Sequence, residues 1–270
     1  MKHFINLIEY LESNHYYSQV DELIRVALDM TDVLTEDNKL GKGLYGEFHS
    51  DFSREQKQKL KNQFGNIPNN VGIKKYKINQ YDAITWTIDN IGENLTFIYV
   101  APYISQNTDL LTPVYNGTIS LSAMITNRIN ITQKMPGQTL ESAIDELRKI
   151  HPNVPSDISF MIRMPMEDRI EKKLRAIGVS WPDIHDKNYL LDKTTVQEFL
   201  EWAKDNAQSV FDGNIQFDLS KNASLFDFGH FEVHRNTPPG MQLESLKEKI
   251  KNQDNKFMGY IVKAIDHILI

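Results

Sequence analysis

The chain reads as an α+β fold, with a small antiparallel sheet in its first half and a mainly helical second half. Three observations carry that expectation. Short alternating segments and glycine turns fall between Lys39 and Lys134. Apolar residues recur at helical spacing after Thr139, and strands followed by a block of helices, without regular alternation of the two, is the α+β pattern. The predicted organisation is a helical extension over residues 1–30, a sheet-bearing lobe over 31–134 and a shortened helical lobe over 135–270.

Phe4, Leu7, Ile8 and Leu11, then Val20, Leu23, Ile24, Ala27 and Leu28, predict two short amphipathic helices, the second capped by Ser18. Lys39 to Phe48 predicts a hairpin around its glycines, and Val71 to Ile78 a strand, with a charged helix over Ser53 to Gln63 inserted between them. Over residues 81–105 two periods compete: Ile84, Trp86 and Ile88 alternate as in a strand, whereas Leu95, Ile98 and Tyr99 fit a helix, and a helix ending near Ser105 is expected. Leu110 to Ile119 and Asn127 to Lys134 read as strands, and Thr139 to Ile150 as a helix. Met166 to Ile177 places Ile170, Leu174 and Ile177 on one face and stops at Gly178, a residue suited to a helix C-terminus. Helices are expected over Thr195 to Val210, Leu243 to Ile250 and Phe257 to Leu269, with Thr237-Pro238-Pro239-Gly240 as the firmest turn.

Composition narrows the chemistry. A chain of 270 residues, 40% hydrophobic and 24% charged, can bury a sizeable core in one large or two small lobes. Its net charge of -6 argues against a main affinity for nucleic acid or an anionic membrane, and neither is expected as a partner. With no cysteine, disulfides, Cys-ligated zinc, iron–sulfur clusters and thiol nucleophiles are excluded. Met1 to Met30 is broken by Glu9, Glu12, Asp21 and Glu22, so neither a signal peptide nor a membrane span is expected there. The expected compartment is the cytoplasm, or a host cytoplasm or virion for a viral chain. His230 and His234 form a His-x-x-x-His pair without a third ligand in sight, and no Gly-x-Ser-x-Gly elbow supports a serine hydrolase.

Five pieces occur in a fixed order. Leu40-Gly41-Lys42-Gly43-Leu44-Tyr45-Gly46 is a glycine-rich turn, and Val71-Gly72-Ile73-Lys74 is strand-like. Gln133-Lys134-Met135-Pro136-Gly137 precedes a helix; Asp183 is followed five residues later by Asn188; and Asp227-Phe228-Gly229 follows an apolar run. Alone, each has a plain structural use: a hairpin needing positive φ, a solvated lysine, a strand-turn-helix junction, an aspartate capping a turn. Their joint order resembles the protein-kinase-like fold, a bilobal architecture with a small antiparallel sheet and a helical lobe. His185, two residues after Asp183, is the pattern of aminoglycoside and choline phosphotransferase-like enzymes.

The resemblance implies an ATP- and Mg²⁺-dependent phosphotransferase acting on a protein or small-molecule hydroxyl. It places backbone N–H groups at Gly41, Gly43 and Gly46 on phosphate oxygens, Phe48 over the adenine and Lys74 on the α and β phosphates. Gln133 to Met135 become the hinge that meets the adenine edge, Asp183 orients the acceptor hydroxyl, and Asn188 and Asp227 ligate Mg²⁺. Asp186 is a second carboxylate in the same loop. The glutamate that braces the lysine corresponds best to Glu93, with Asp82 and Asp89 as competitors.

The pattern also departs from the family. Trp181 stands where protein kinases place a histidine; a whole helix is inserted between Asn188 and Asp227; and 41 residues remain after Gly229 (270 minus 229), without Ala-Pro-Glu. A catalytically inactive member acting as a binding or structural component, including one of a virus or phage particle, is the alternative that these departures permit.

Overall fold

A computed structural model describes residues 33–42, 46–65, 67–76, 83–113, 129–253 and 256–270. The two expected N-terminal helices, Gly43, Asp82 and the expected strand beyond residue 113 lie outside them. The described chain is α+β and divides into two compact units: residues 1–77 with 116–132, and 78–115 with 133–270. Among the described residues no helix is long and apolar enough to cross a membrane.

The first unit carries a four-stranded sheet in the order β1-β2-β3-β4, with β1 Lys39–Lys42, β2 Gly46–His49, β3 Val71–Tyr76 and β4 Ile129–Gln133. The hairpin expected around the glycines is present: β1 pairs antiparallel with β2, placing Gly41 opposite Phe48, and β2 pairs antiparallel with β3, placing Phe48 opposite Lys74. Between β2 and β3 the expected helix forms as α1 Arg54–Phe64. Its start is a reciprocal cap in which Ser53 Oγ accepts from Gln56 N–H at 3.2 Å while Gln56 Oε1 accepts from Ser53 N–H at 2.9 Å. Leu60 and Phe64 are its buried residues, joined in the core by Phe52, Ile67, Val71, Ile73, Ile129 and Ile131.

A buried polar set closes the start of the described chain. Asn38 Oδ1 can only accept, so His49 Nδ1, 2.8 Å away, donates to it, and Asn38 Nδ2 donates to the Val33 carbonyl. His49 Nε2 is left buried with no hydrogen-bond partner.

The second unit is helical, with two short strand pairings among its described residues. Of the ambiguous stretch, residues 83–105 resolve in favour of helix, as α2 Ala83–Tyr99 and α3 Ala101–Asn107, interrupted at Val100 where Pro102 enters the first turn of α3. Thr139 caps α4 Leu140–Ile150, its side chain accepting from Ser142 N–H. The helix expected from Met166 is longer, α5 Ile158–Ala176, with Pro165 inside it. Ile158, Ile162, Met166, Ile170 and Leu174 are all buried at four-residue spacing. Burial of that stripe outweighs the local penalty of a proline whose own ring is exposed.

The helix expected over Thr195 to Val210 is two, α6 Lys193–Asp205 and α7 Ala207–Phe211, broken at Asn206, whose Nδ2 turns back to the Trp202 carbonyl at 2.8 Å. The Thr237-Pro238-Pro239-Gly240 turn is instead the cap and first turn of α8 Pro238–Ile250. Thr237 Oγ1 accepts from Gly240 N–H at 3.3 Å, and the prolines occupy positions whose N–H groups a helix leaves unbonded in any case. The last helix, α9 Lys256–Ile268, packs along α2 and against α8. Between the helices, β5 Val179–Ser180 pairs antiparallel with β8 Glu232–Val233, and β6 Tyr189–Leu190 with β7 Ser224–Leu225.

Two measurements test this packing. A Cβ at Gly240 would run into the backbone carbonyl of His234, so Gly240→Ala should lower stability by about 1–3 kcal/mol in denaturant unfolding. Burial pushes the His49 imidazole below its ordinary value of 6.5. Below about pH 6.5 the unfolded chain therefore takes up a proton that the folded chain refuses, and stability falls as pH drops toward the lowered folded value. Urea midpoints at about pH 7.5 and 5.5 should differ less in His49→Gln than in the unaltered chain; equal differences would contradict the assignment.

Candidate functional site

In the first unit, β1 and β2 carry Gly41 and Gly46 on either side of the glycine turn, and Gly43 lies outside the described residues. Cross-strand partners share a face of a sheet, so Phe48 and Lys74 lie on one face together with Gly72, two residues before the lysine. The glycine is required there. A Cβ on Gly72 would stand 2.5 Å from Phe48 Cζ, so its absence lets the half-buried ring lie against the strand. Lys74 is half-buried, with Nζ 5.3 Å from the Tyr76 ring centroid.

The second unit assembles the other candidates around the β6–β7 ribbon. The hinge candidates Gln133 and Met135 are half-buried, and the chain just beyond them is tied to the ribbon. Gln138 and Leu191 exchange backbone hydrogen bonds at 3.0 and 2.8 Å, and Ser224 Oγ donates to the Pro136 carbonyl at 3.0 Å. Gly137 has φ of 139°, and a Cβ on it would lie 2.7 Å from both Leu190 Cβ and the Leu191 carbonyl. A glycine meets both demands.

Asn188 precedes β6 and is buried. Its Nδ2 donates to the Asp183 carbonyl at 3.0 Å and leans toward Asp183 Oδ2 at 3.4 Å, while its own carbonyl accepts from Phe226 N–H at 3.3 Å. That last bond continues the β6–β7 pairing by one position and delivers Asp227 to the edge of the 181–188 loop. Asp227 is half-buried, and its Oδ1 accepts from Gly229 N–H at 3.1 Å. Asp227 is thereby brought from 39 residues away to the loop that holds Asp183 and Asn188. Asp183 is the carboxylate bonded to Asn188, whereas Asp186 acts on Glu167 of α5. His185 sits beside Asp183, its Nε2 3.9 Å from Oδ1, and its Nδ1 accepts from Lys187 N–H at 3.2 Å.

An oxygen-seeking divalent cation fits this donor set. The Asn188 amide nitrogen is directed at Asp183, so its side-chain oxygen is the atom left for a cation, and the Asp227 carboxylate supplies a charged oxygen nearby. Among the described residues no group of three or more His, Asp or Glu side chains is gathered as a metal cage. A site of this kind therefore needs its remaining ligands from phosphate and water.

Beneath the loop runs a column of rings that motif reasoning did not find. Trp181 stacks on Phe231 with centroids 4.8 Å apart, Phe231 on Phe228 at 5.1 Å, and Phe228 meets Phe97 of α2 at 6.0 Å and 55°. Trp181, in the position read as a lost histidine, is buried with Nε1 unpartnered. On α2 the buried carboxylate is Glu93, and Asp89 is exposed.

A second unforeseen contact lies on α5. Tyr189 donates its hydroxyl to Glu167 Oε1 at 3.2 Å. Burial pushes the Glu167 carboxyl above its ordinary 4.5, against the pull of Arg163 and the tyrosine hydroxyl, and burial together with the Glu167 carboxylate pushes the Tyr189 hydroxyl up. Only the spacing of Glu167 on α5, one residue after the buried Met166, could have hinted at it.

No family model matches this chain, and no curated protein matches it either.

The Glu167 shift has a signed consequence. Between about pH 4.5 and the raised folded value the folded chain holds a proton that the unfolded chain has released, so this contribution to stability is lost as pH rises. Glu167→Gln removes the titration while keeping an acceptor for Tyr189. It should raise the melting temperature at neutral pH by on the order of 2 °C and leave it unchanged near pH 4; a loss of stability at neutral pH would show that the charge is needed.

Proposed function

We propose that this chain is an ATP- and Mg²⁺-dependent phosphotransferase of protein-kinase-like, bilobal architecture that transfers the γ-phosphate to a hydroxyl on a protein or small molecule. The observation that carries this reading is the convergence of Asp183, Asn188 and Asp227 through the β6–β7 pairing and the Asn188 to Phe226 bond. Antiparallel pairing of β5 with β8 frames the same loop and supports it.

The roles follow from the donor atoms. Asn188 and Asp227 present oxygens to Mg²⁺, which when bound neutralises phosphate charge. Asp183, half-buried and held by the Asn188 amide, accepts a hydrogen bond from the acceptor hydroxyl and orients its oxygen. Its neighbour His185 is half-exposed, with Nε2 3.9 Å from Asp183 Oδ1. In the first unit, Lys74 supplies the cation for the α and β phosphates, Phe48 on the same sheet face supplies the apolar surface for the adenine, and the glycine hairpin supplies N–H donors. Gln133 to Met135 supply backbone groups for the adenine edge. Glu93, buried on α2, is the carboxylate that corresponds by resemblance to the family's bracing glutamate.

The alternative, a nucleotide-free scaffold on the same fold, rests on the use of the C-terminal helices: α8 and α9 pack together and α9 lies along α2. Thermal melting separates the two readings. ATP with Mg²⁺ at about a hundred times the dissociation constant should stabilise the chain by roughly 2.7 kcal/mol, and no shift at all favours the scaffold. Asp183→Asn should abolish transfer and leave ATP binding near that of the unaltered chain, whereas Asp227→Asn should weaken the Mg²⁺-dependent part of the stabilisation. Parallel loss of binding and transfer in Asp183→Asn would overturn the role given to that residue.

A further inference from the structure

Thr96 on α2 is buried, and three carbonyl oxygens converge on its hydroxyl: Gly92 at 3.1 Å and Glu93 at 3.0 Å in its own helix, and Phe228 at 2.7 Å, 132 residues away. A hydroxyl has one hydrogen to give, and a carbonyl has none. The helix carbonyls are the regular acceptors of the N–H groups four residues on. The Phe228 carbonyl has no such helical donor, and its distance is the shortest of the three. The hydrogen belongs to Phe228.

The peptide unit that accepts this bond is the one whose other end holds Asp227. Phe228 contributes the C=O, and Gly229, through the same planar amide, contributes the N–H that bonds Asp227 Oδ1 at 3.1 Å. In a trans amide the C=O and N–H point to opposite sides, so fixing one fixes the other. The ring contacts of Phe228 with Phe97 and Phe231 determine where its side chain goes but allow the following peptide to rotate. Glycine at 229 makes such a rotation sterically cheap. If the plane turns over, the N–H leaves Asp227 and the carboxylate loses this hydrogen bond.

We propose that Thr96 is a positioning residue: its hydroxyl locks the Phe228–Gly229 peptide in the orientation that aims the Asp227 carboxylate. Its catalytic meaning rests on the reading of Asp227 as a cation ligand; the lock itself does not. Thr96→Val keeps the shape and removes the hydroxyl, Thr96→Ser keeps the hydroxyl, and Thr96→Ala serves as a second hydroxyl-free variant should Val disturb folding.

Amide hydrogen exchange on the ligand-free chain is the first readout. Exchange at Gly229 should accelerate about tenfold in Thr96→Val and Thr96→Ala, return to the original rate in Thr96→Ser, and remain unaltered at Phe226, whose N–H is held by Asn188. The second readout is the Mg²⁺ concentration that half-saturates stabilisation by ATP, expected to rise about tenfold in the hydroxyl-free variants alone. Unchanged exchange at Gly229, or an equal rise at Phe226, overturns the lock. A selective rise at Gly229 in a chain that shows no response to ATP with Mg²⁺ supports the lock and overturns the phosphotransfer reading instead.

Discussion

The antiparallel pairing of Tyr189–Leu190 with Ser224–Leu225 is the constraint on which the candidate site depends. Two residues a side would be marginal as an isolated hairpin in water, and this ribbon is not isolated. On one edge Leu111 exchanges backbone bonds with Ala223 and Leu225 at 2.9 and 2.8 Å; on the other Gln138 does so with Leu191. Its backbone is thus bonded on both sides, and Tyr189, Leu191 and Leu225 fill the core around it. Register is the decisive quantity. A slip by one residue would turn each side chain to the opposite face, taking Asn188 away from Asp183 and Asp227 away from both.

The ring column gives the loop a floor of the opposite chemical kind. Stacking Trp181, Phe231, Phe228 and Phe97 removes large apolar surfaces from water and adds offset-stacked contacts. The cost is a buried indole N–H without an acceptor, on the order of 1–3 kcal/mol. Polar groups set directions above this floor: Asn188 holds Asp183, Gly229 N–H holds Asp227, and Thr96 holds the peptide between Phe228 and Gly229. Rings fix position and hydrogen bonds fix orientation.

Much of the secondary structure was legible because its causes are local. The Ser53–Gln56 cap, the Thr139 cap and the four-residue stripe from Ile158 to Leu174 all act within a few residues of one another. Errors arose where a local signal has two meanings. Pro238-Pro239 looks like a turn yet opens a helix, and Asn206 breaks a stripe whose periodicity runs on. Asp183, Asn188 and Asp227 could be singled out as candidates because each stands in a short loop that follows or precedes an apolar run.

By itself the sequence determined the α+β class, the hairpin around Gly41 and Gly46, most helices and the identity of the polar residues in the loops, since hydrophobic period, capping and turn chemistry are written within a dozen residues. Tertiary structure decided which of those residues meet. The nearness of Asn188 to Asp227, the ring column from Phe97 to Trp181 and the bond from Thr96 to Phe228 all depend on segments 39 to 132 residues apart. No local pattern encodes such contacts; they follow from strand register and from the packing of α2 against the turn that carries Asp227.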